Sequence, residues 1–194
     1  MTELQLCNMA LRRIQAEPIT DLETDTSKEA ALCRTFYDNS RDAVLEDHPW
    51  SFAIARQILT ASGTTNLSNW LYVYQIPVDP KCIRPLSLLD SQNLYNEAQY
   101  PFRVEGQDIY TDLPLAGLKY IFQQTDPTKF SPLFCDALAW RLGAEMIKAV
   151  EGTSPVDPWM MYRDVLLTAQ ANDDMGKQEP DLPPALWVEE RFRV

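Results

Sequence analysis

Apolar residues recur at helical spacing near both ends of the chain and at alternate positions in its middle. A first amphipathic helix is predicted over residues 2–15, where apolar side chains fall three and four positions apart. A second helix is predicted over residues 27–47, because Ser27 can cap its first turn. Pro49 disfavours the helical conformation of His48, so this second helix should end there.

From residue 50 the spacing of apolar residues changes from about four to two, which indicates strands. Alternation over residues 50–55 and 70–76, with many aromatic side chains, favours two strands. A third strand is predicted over residues 82–89, a hairpin over 102–111 with its turn at Glu105-Gly106-Gln107, and a last strand over 118–123. We therefore expect a small antiparallel β insertion at about residues 50–125.

Helical spacing returns at Ser131-Pro132, where a capping serine precedes a proline that fits the first helical turn. The apolar residues of this third helix spread around most of its circumference, which predicts a central position. Asp157-Pro158 repeats the start signal for a fourth helix that ends near Met175.

These elements predict a mainly α fold with a four-helix bundle-like core, a small antiparallel β insertion and an extended C-terminal tail. One domain should span residues 1–175, with helical arms at 2–48 and 131–175. The tail covers residues 176–194, where three prolines disfavour a stable helix.

The tail is unusually apolar for a solvated terminus, since it carries Leu182, Leu186, Trp187 and Phe192. Two interpretations stay open. The tail folds back on its own core, or it reaches a neighbouring subunit and these four residues form a partner interface.

The 194 residues carry 17 basic and 28 acidic side chains, a net charge of −11, and 45% of the residues are hydrophobic. A packed core is therefore expected, and clustered basic residues for binding nucleic acid phosphates are not found. The excess acid favours solubility, and a second interpretation is a wall along which DNA passes without binding.

The four cysteines are far apart in sequence, and no Cys-x-x-Cys pair occurs. We expect small buried apolar side chains at Cys7, Cys33 and Cys135, and no metal site. The first residues lack a basic and apolar leader pattern, and no apolar run is long enough for a membrane span. The expected site of synthesis is a reducing cytoplasm.

Side chains able to carry out catalysis occur without a recognisable arrangement. The single histidine, His48, is interpreted as part of a helix end, where its protonated form would suit the helix dipole. Three acidic pairs are interpreted as solvated surface, namely Glu46-Asp47, Asp173-Asp174 and Glu189-Glu190. The aromatic residues Trp70, Tyr72 and Tyr74 could stack nucleic acid bases, but a sheet core is favoured. No catalytic, cofactor-binding or metal-binding residue is predicted.

An ordered series of short motifs nevertheless runs through almost the whole chain. The most informative segment, residues 41–59, reads RDAVLEDHPWSFAIARQIL. Other members of the series are Cys33, Tyr37 and residues 6–14, 18–22, 70–77, 82–84, 120–121, 126–127 and 134–139. In order and spacing this series resembles the tail tubular protein A family, the head-to-tail adaptor proteins of short-tailed bacteriophages. The resemblance covers about residues 4–175.

The resemblance implies a structural virion protein without catalytic residues or cofactor. Members of this family form a ring, usually of twelve copies, between the portal protein and the tail tube, and the ring lines the channel through which double-stranded DNA leaves. The protein would be made in the host cytoplasm and located in the virion neck. Two alternatives stay open, a phage-associated hydrolase and a small cytoplasmic regulatory or scaffold protein.

Overall fold

The computed structural model describes residues 1–66, 68–92, 94 and 100–176. Its helices are α1 (Glu3–Arg13), α2 (Lys28–Asp47), α3 (Pro132–Met146) and α4 (Pro158–Met175). Its strands are β1 (Ile54–Ile58), β2 (Tyr72–Gln75), β3 (Cys82–Asp90), β4 (Phe102–Glu105), β5 (Asp108–Thr111) and β6 (Ala116–Phe122). Short 3₁₀ turns precede β1 and α3.

The helices begin where local signals in the sequence predict. The side chains of Ser27, Ser131 and Asp157 each accept a hydrogen bond from a backbone N–H in the first turn of the helix that follows. Pro132 and Pro158 occupy the first helical position, where the missing N–H costs nothing. The predicted starts of α2, α3 and α4 are confirmed.

Helix α3 lies at the centre of the helical part and packs against α1, α2 and α4. Its buried residues include Phe134, Leu138 and Leu142, which are fully enclosed. At Gly143 the backbone of α1 comes so close that an added Cβ would stand 3.3 Å from the carbonyl oxygen of Ala10. The predicted central position of this helix is confirmed.

The strands form two three-stranded antiparallel sheets. The first sheet has the order β1-β6-β3 and the second has the order β2-β5-β4. Strands β4 and β5 form the hairpin predicted from the sequence, with Gly106 in its turn at a positive φ of 61°. We call the first sheet the inner sheet and the second the outer sheet, because of their positions relative to the helices.

The inner sheet separates two hydrophobic cores, and strand β6 contributes to both. Ile121 belongs to the same buried core as Phe134 of α3 and Trp50 of the turn after α2. Leu118 and Tyr120, on the opposite face of β6, pack with Tyr74 and Ile109 of the outer sheet and other residues. The arrangement therefore has three layers, with helices on one side of the inner sheet and the outer sheet on the other.

The predicted fold class, mainly α with a bundle-like core and a small β insertion, is wrong. The helices make up 41% of the structure and strands 22%, which gives a mixed α and β fold. The sequence pattern identified most of the strands but did not show that they assemble into two sheets with a core of their own. That assembly depends on contacts between distant segments, which alternation within one strand cannot specify.

Two local predictions also change. Residues 51–53 form a 3₁₀ turn instead of the start of a strand, so β1 begins only at Ile54. Strand β3 continues through Pro85, and a shift of pairing register beside this residue accommodates the missing N–H.

Cys7, Cys33 and Cys135 are buried, as predicted. Within the described ranges, every helix is too short or too polar to cross a membrane.

Candidate functional site at the junction of α2 and α4

The segment after α2 turns the chain sharply at Pro49. His48 has extended backbone angles, φ −151° and ψ 146°, as a residue before proline should. The backbone N–H of Trp50 donates to the carbonyl of His48 at 2.8 Å and fixes the turn. The His48-Pro49-Trp50 motif is thus the point where the helical arm passes into the sheets.

Trp50 anchors this turn in the helical core. Its side chain is completely buried, and its ring meets the rings of Phe134 and His48 edge to face at centroid distances of 5.1 and 4.9 Å. The indole N–H donates to the carbonyl of Val44 at 2.8 Å. Val44 lies in the last turn of α2, where carbonyls lack partners within the helix, so the indole stabilises the helix end.

The last turn of α4 packs against the turn around Pro49. Both carboxylate oxygens of Asp173 lie near the backbone N–H of Ser51, at 3.1 and 3.2 Å. One of them lies 3.3 Å from Nε2 of His48, and a carboxylate oxygen of Asp174 lies 3.4 Å from the same nitrogen. We call His48, Asp173 and Asp174 the junction cluster.

A second polar contact joins the first half of α4 to the last residue of α2. The hydroxyl of Tyr162 donates to a carboxylate oxygen of Asp47, and Arg141 of α3 approaches the same hydroxyl at 3.4 Å. Burial, reinforced by this hydrogen bond, raises the pKa of Tyr162 well above its ordinary value. The hydroxyl therefore stays protonated and serves as a permanent donor to Asp47.

These positions correct two sequence interpretations. Asp173 is not part of a solvated pair, because only 13% of its side chain is exposed, whereas Asp174 is 59% exposed. His48 does end α2, as predicted, but it also faces two carboxylates of another helix. The two segments are 125 residues apart in sequence, so no local spacing could have revealed the junction cluster.

The junction cluster combines an imidazole nitrogen with carboxylate oxygens from a second element. The possible ligand atoms of the three residues all lie within 4.8 Å of one another. Such a set can form an ion pair when His48 is protonated, or bind a divalent cation when it is neutral.

The other sequence candidates are distributed differently. Leu182, Leu186, Trp187, Phe192 and the pair Glu189-Glu190 lie outside the described residues. Tyr74 is buried, which confirms the core interpretation for this residue, but Tyr72 is 40% exposed and stacks on Tyr74 at a centroid distance of 6.3 Å. Of these two aromatic residues, Tyr74 therefore lies in the core and Tyr72 lies at its exposed edge.

A small cavity opens between the ends of β1 and β2. It has a volume of about 130 Å³ and is lined by residues 57–60 and 75–79. Pockets for small ligands are typically about 300–1,000 Å³ and mostly apolar. The junction of α2 and α4 remains the arrangement with the most defined chemistry.

Compared with models of known protein families and with curated proteins, the chain matches none of them.

Proposed function

We propose that the protein is a head-to-tail adaptor of a short-tailed bacteriophage, a structural virion protein that acts by assembly and not by catalysis. Copies of the chain form a ring, of twelve subunits in the family that the sequence resembles. The ring joins the portal protein to the tail tube in the virion neck and surrounds the path of double-stranded DNA. The net charge of −11 suits a channel through which DNA passes without specific binding.

The observation that carries the proposal is the presence of exposed apolar residues on two separate parts of the molecule. On α4, Met160 and Leu167 are 53% and 65% exposed and lie on one helix face, seven positions apart. At the outer sheet, Leu71 and Val104 are 70% and 41% exposed. These surfaces belong to different layers of the fold.

Two different surfaces are what a cyclic ring requires. In a ring of more than two identical subunits, each interface joins one surface of a subunit to a different surface of the next. Exposed apolar side chains that recur on one surface are a mark of interaction surfaces. We therefore assign the α4 face and the outer sheet to opposite partners, either neighbouring copies or the portal and tail proteins.

The motif segment around Trp50 supports the same function indirectly. It is part of the ordered motif series that resembles the adaptor family, and it fixes α4 through contacts of His48 and Ser51 with Asp173. In this proposal the motif does not bind a partner. It holds the α4 face in a fixed position relative to the sheets.

The test is assembly with the portal protein encoded in the same genome. Mass photometry and negative-stain electron microscopy of the mixture should show a ring on the portal. Leu167→Glu should abolish or weaken this ring, because a buried interface residue would be replaced by a charge. Thr168→Glu adds the same charge at an exposed neighbouring position of α4 and should leave assembly unchanged.

Circular dichroism of each variant confirms that the monomer is folded. If the wild-type chain forms no ring with the portal, or is absent from the neck of purified virions, the adaptor proposal fails. Equal assembly of Leu167→Glu and wild type would instead remove α4 from the interface.

The tail is tested separately. We propose that residues 177–194 contact a neighbouring subunit through Leu182, Leu186, Trp187 and Phe192. Trp187→Ala should then weaken assembly by about 2 kcal/mol or more, since buried aromatic anchors dominate many interfaces. A chain ending at Gly176 should stay folded but assemble poorly.

Unfolding of that truncated chain would show that the tail packs on its own core. Unchanged assembly would show that the tail has no role in the ring.

A further inference from the structure

We propose that the junction cluster binds one divalent transition-metal ion, with Zn²⁺ as the type case. His48 would supply its Nε2 atom, and Asp173 and Asp174 would each supply a carboxylate oxygen. The ion would tie the end of α2 to the last turn of α4. This site is independent of ring assembly and belongs to the single chain.

The distances fit a metal site with little rearrangement. Zinc binds imidazole nitrogen and carboxylate oxygen at about 2.0–2.2 Å, so neighbouring ligands of a tetrahedral site stand roughly 3.3–3.5 Å apart. Nε2 of His48 lies 3.3 Å from Asp173 and 3.4 Å from Asp174. The remaining separation is at most 4.8 Å, and a rotation of the exposed Asp174 side chain can close it.

Two of the three groups are already held in place. The imidazole of His48 is 10% exposed and rests edge to face against the Trp50 ring at 4.9 Å. The carboxylate of Asp173 accepts the backbone N–H of Ser51, so its orientation is fixed by the turn that follows Pro49. Hydrogen bonds of this kind orient ligands and raise metal affinity.

The charges also suit a divalent ion. With a neutral imidazole, the two ionised carboxylates bring a charge of −2 to the three ligand groups, and one of these carboxylates is mostly buried. A divalent cation bound by the three groups would carry the matching charge of +2.

The donor set indicates which metals fit. Imidazole nitrogen suits zinc, iron and nickel, while Mg²⁺ and Ca²⁺ prefer oxygen ligands alone. Three protein ligands leave at least one position open, and the exposed side of Asp174 gives that position access to water. The site should therefore bind Zn²⁺ and Co²⁺ in preference to Mg²⁺.

The consequence for the molecule is a metal-dependent link between helices. A metal ion that binds only the folded chain raises the free energy of unfolding by mass action. The melting temperature of the full-length protein should rise with Zn²⁺ concentration, with no need for portal or DNA.

The experiment uses the chelator-treated full-length protein and Zn²⁺ as the probe. Isothermal titration calorimetry should give one equivalent, and Co²⁺ should give the visible absorption of a four-coordinate ion. Asp174→Asn should lower the Zn²⁺ affinity by at least roughly tenfold. Because this side chain is 59% exposed, the variant should fold as the wild type does. Asp164→Asn removes an exposed carboxylate of α4 outside the cluster and is the matched control.

Several outcomes overturn the proposal. No saturable binding below millimolar Zn²⁺ would leave the cluster as an ion pair of His48 with the two carboxylates. Equal affinity in the two variants would place any bound zinc elsewhere on the chain. Because the measurement needs no assembly, its failure leaves the adaptor proposal untouched, and failure of assembly leaves the metal site untouched.

Discussion

The indole of Trp50 should contribute to stability through a single hydrogen bond as well as through its burial. Trp50→Phe keeps an aromatic ring in the core but removes the donor to the Val44 carbonyl. This carbonyl lies at the buried end of α2, where loss of its partner costs about 1–3 kcal/mol. Trp50→Ala removes the ring as well and should cost about 3–5 kcal/mol.

Urea unfolding followed by far-ultraviolet circular dichroism measures both losses. With a slope of about 2 kcal/mol per M, a loss of about 2 kcal/mol lowers the unfolding midpoint by about 1 M. Trp159→Phe is the matched control, because Trp159 is 39% exposed and its replacement should change stability by less than about 0.5 kcal/mol. Equal midpoints for Trp50→Phe and Trp159→Phe would refute the role given to the hydrogen bond.

Three further predictions test packing and protonation. Tyr162→Phe should lose about 0.5–1.5 kcal/mol in the same urea assay, because the hydrogen bond from the buried Tyr162 hydroxyl to the exposed Asp47 carboxylate is lost; an unchanged midpoint would contradict this. Gly152→Ala should lower the free energy of unfolding by about 1–3 kcal/mol, since the added Cβ would stand 2.6 Å from a backbone oxygen. Gly63→Ala is its control and should leave the free energy of unfolding unchanged, because a Cβ there meets nothing within 4 Å. Burial raises the pKa of Cys82 to about 11, so its neutral thiol is favoured in the folded chain and this preference is lost only as pH rises through that value. Alkylation of Cys82 at pH 8, measured by mass spectrometry, should be about a hundredfold slower in the native protein than in urea, and equal rates would contradict the shift.

Features set by neighbouring residues were predictable from the sequence. Ser131-Pro132 and Asp157-Pro158 carry complete start signals for their helices, and the hairpin turns at Gly106 as its flanking alternation requires. Each of these features depends on residues within about four positions of one another, which a sequence pattern can show.

Features that depend on distant contacts were missed. The pairing of β1 and β3 on either side of β6 brings together residues 26 to 67 positions apart, and this pairing turns the expected small insertion into two sheets. The same holds for Asp173, whose partners His48 and Ser51 are more than a hundred positions away. The interpretation of Asp173 as solvated surface rested on its place in an acidic pair at a helix end.

The position of β6 between two cores has a consequence for how the molecule unfolds. Ile121 and Tyr120 are consecutive residues, yet one packs with the helices and the other with the outer sheet. Side chains alternate between faces of a strand, so slipping the register of β6 by one residue would exchange the two sets. Neither core can loosen around this strand without disturbing the other, and the helical and sheet layers should therefore unfold in one cooperative transition.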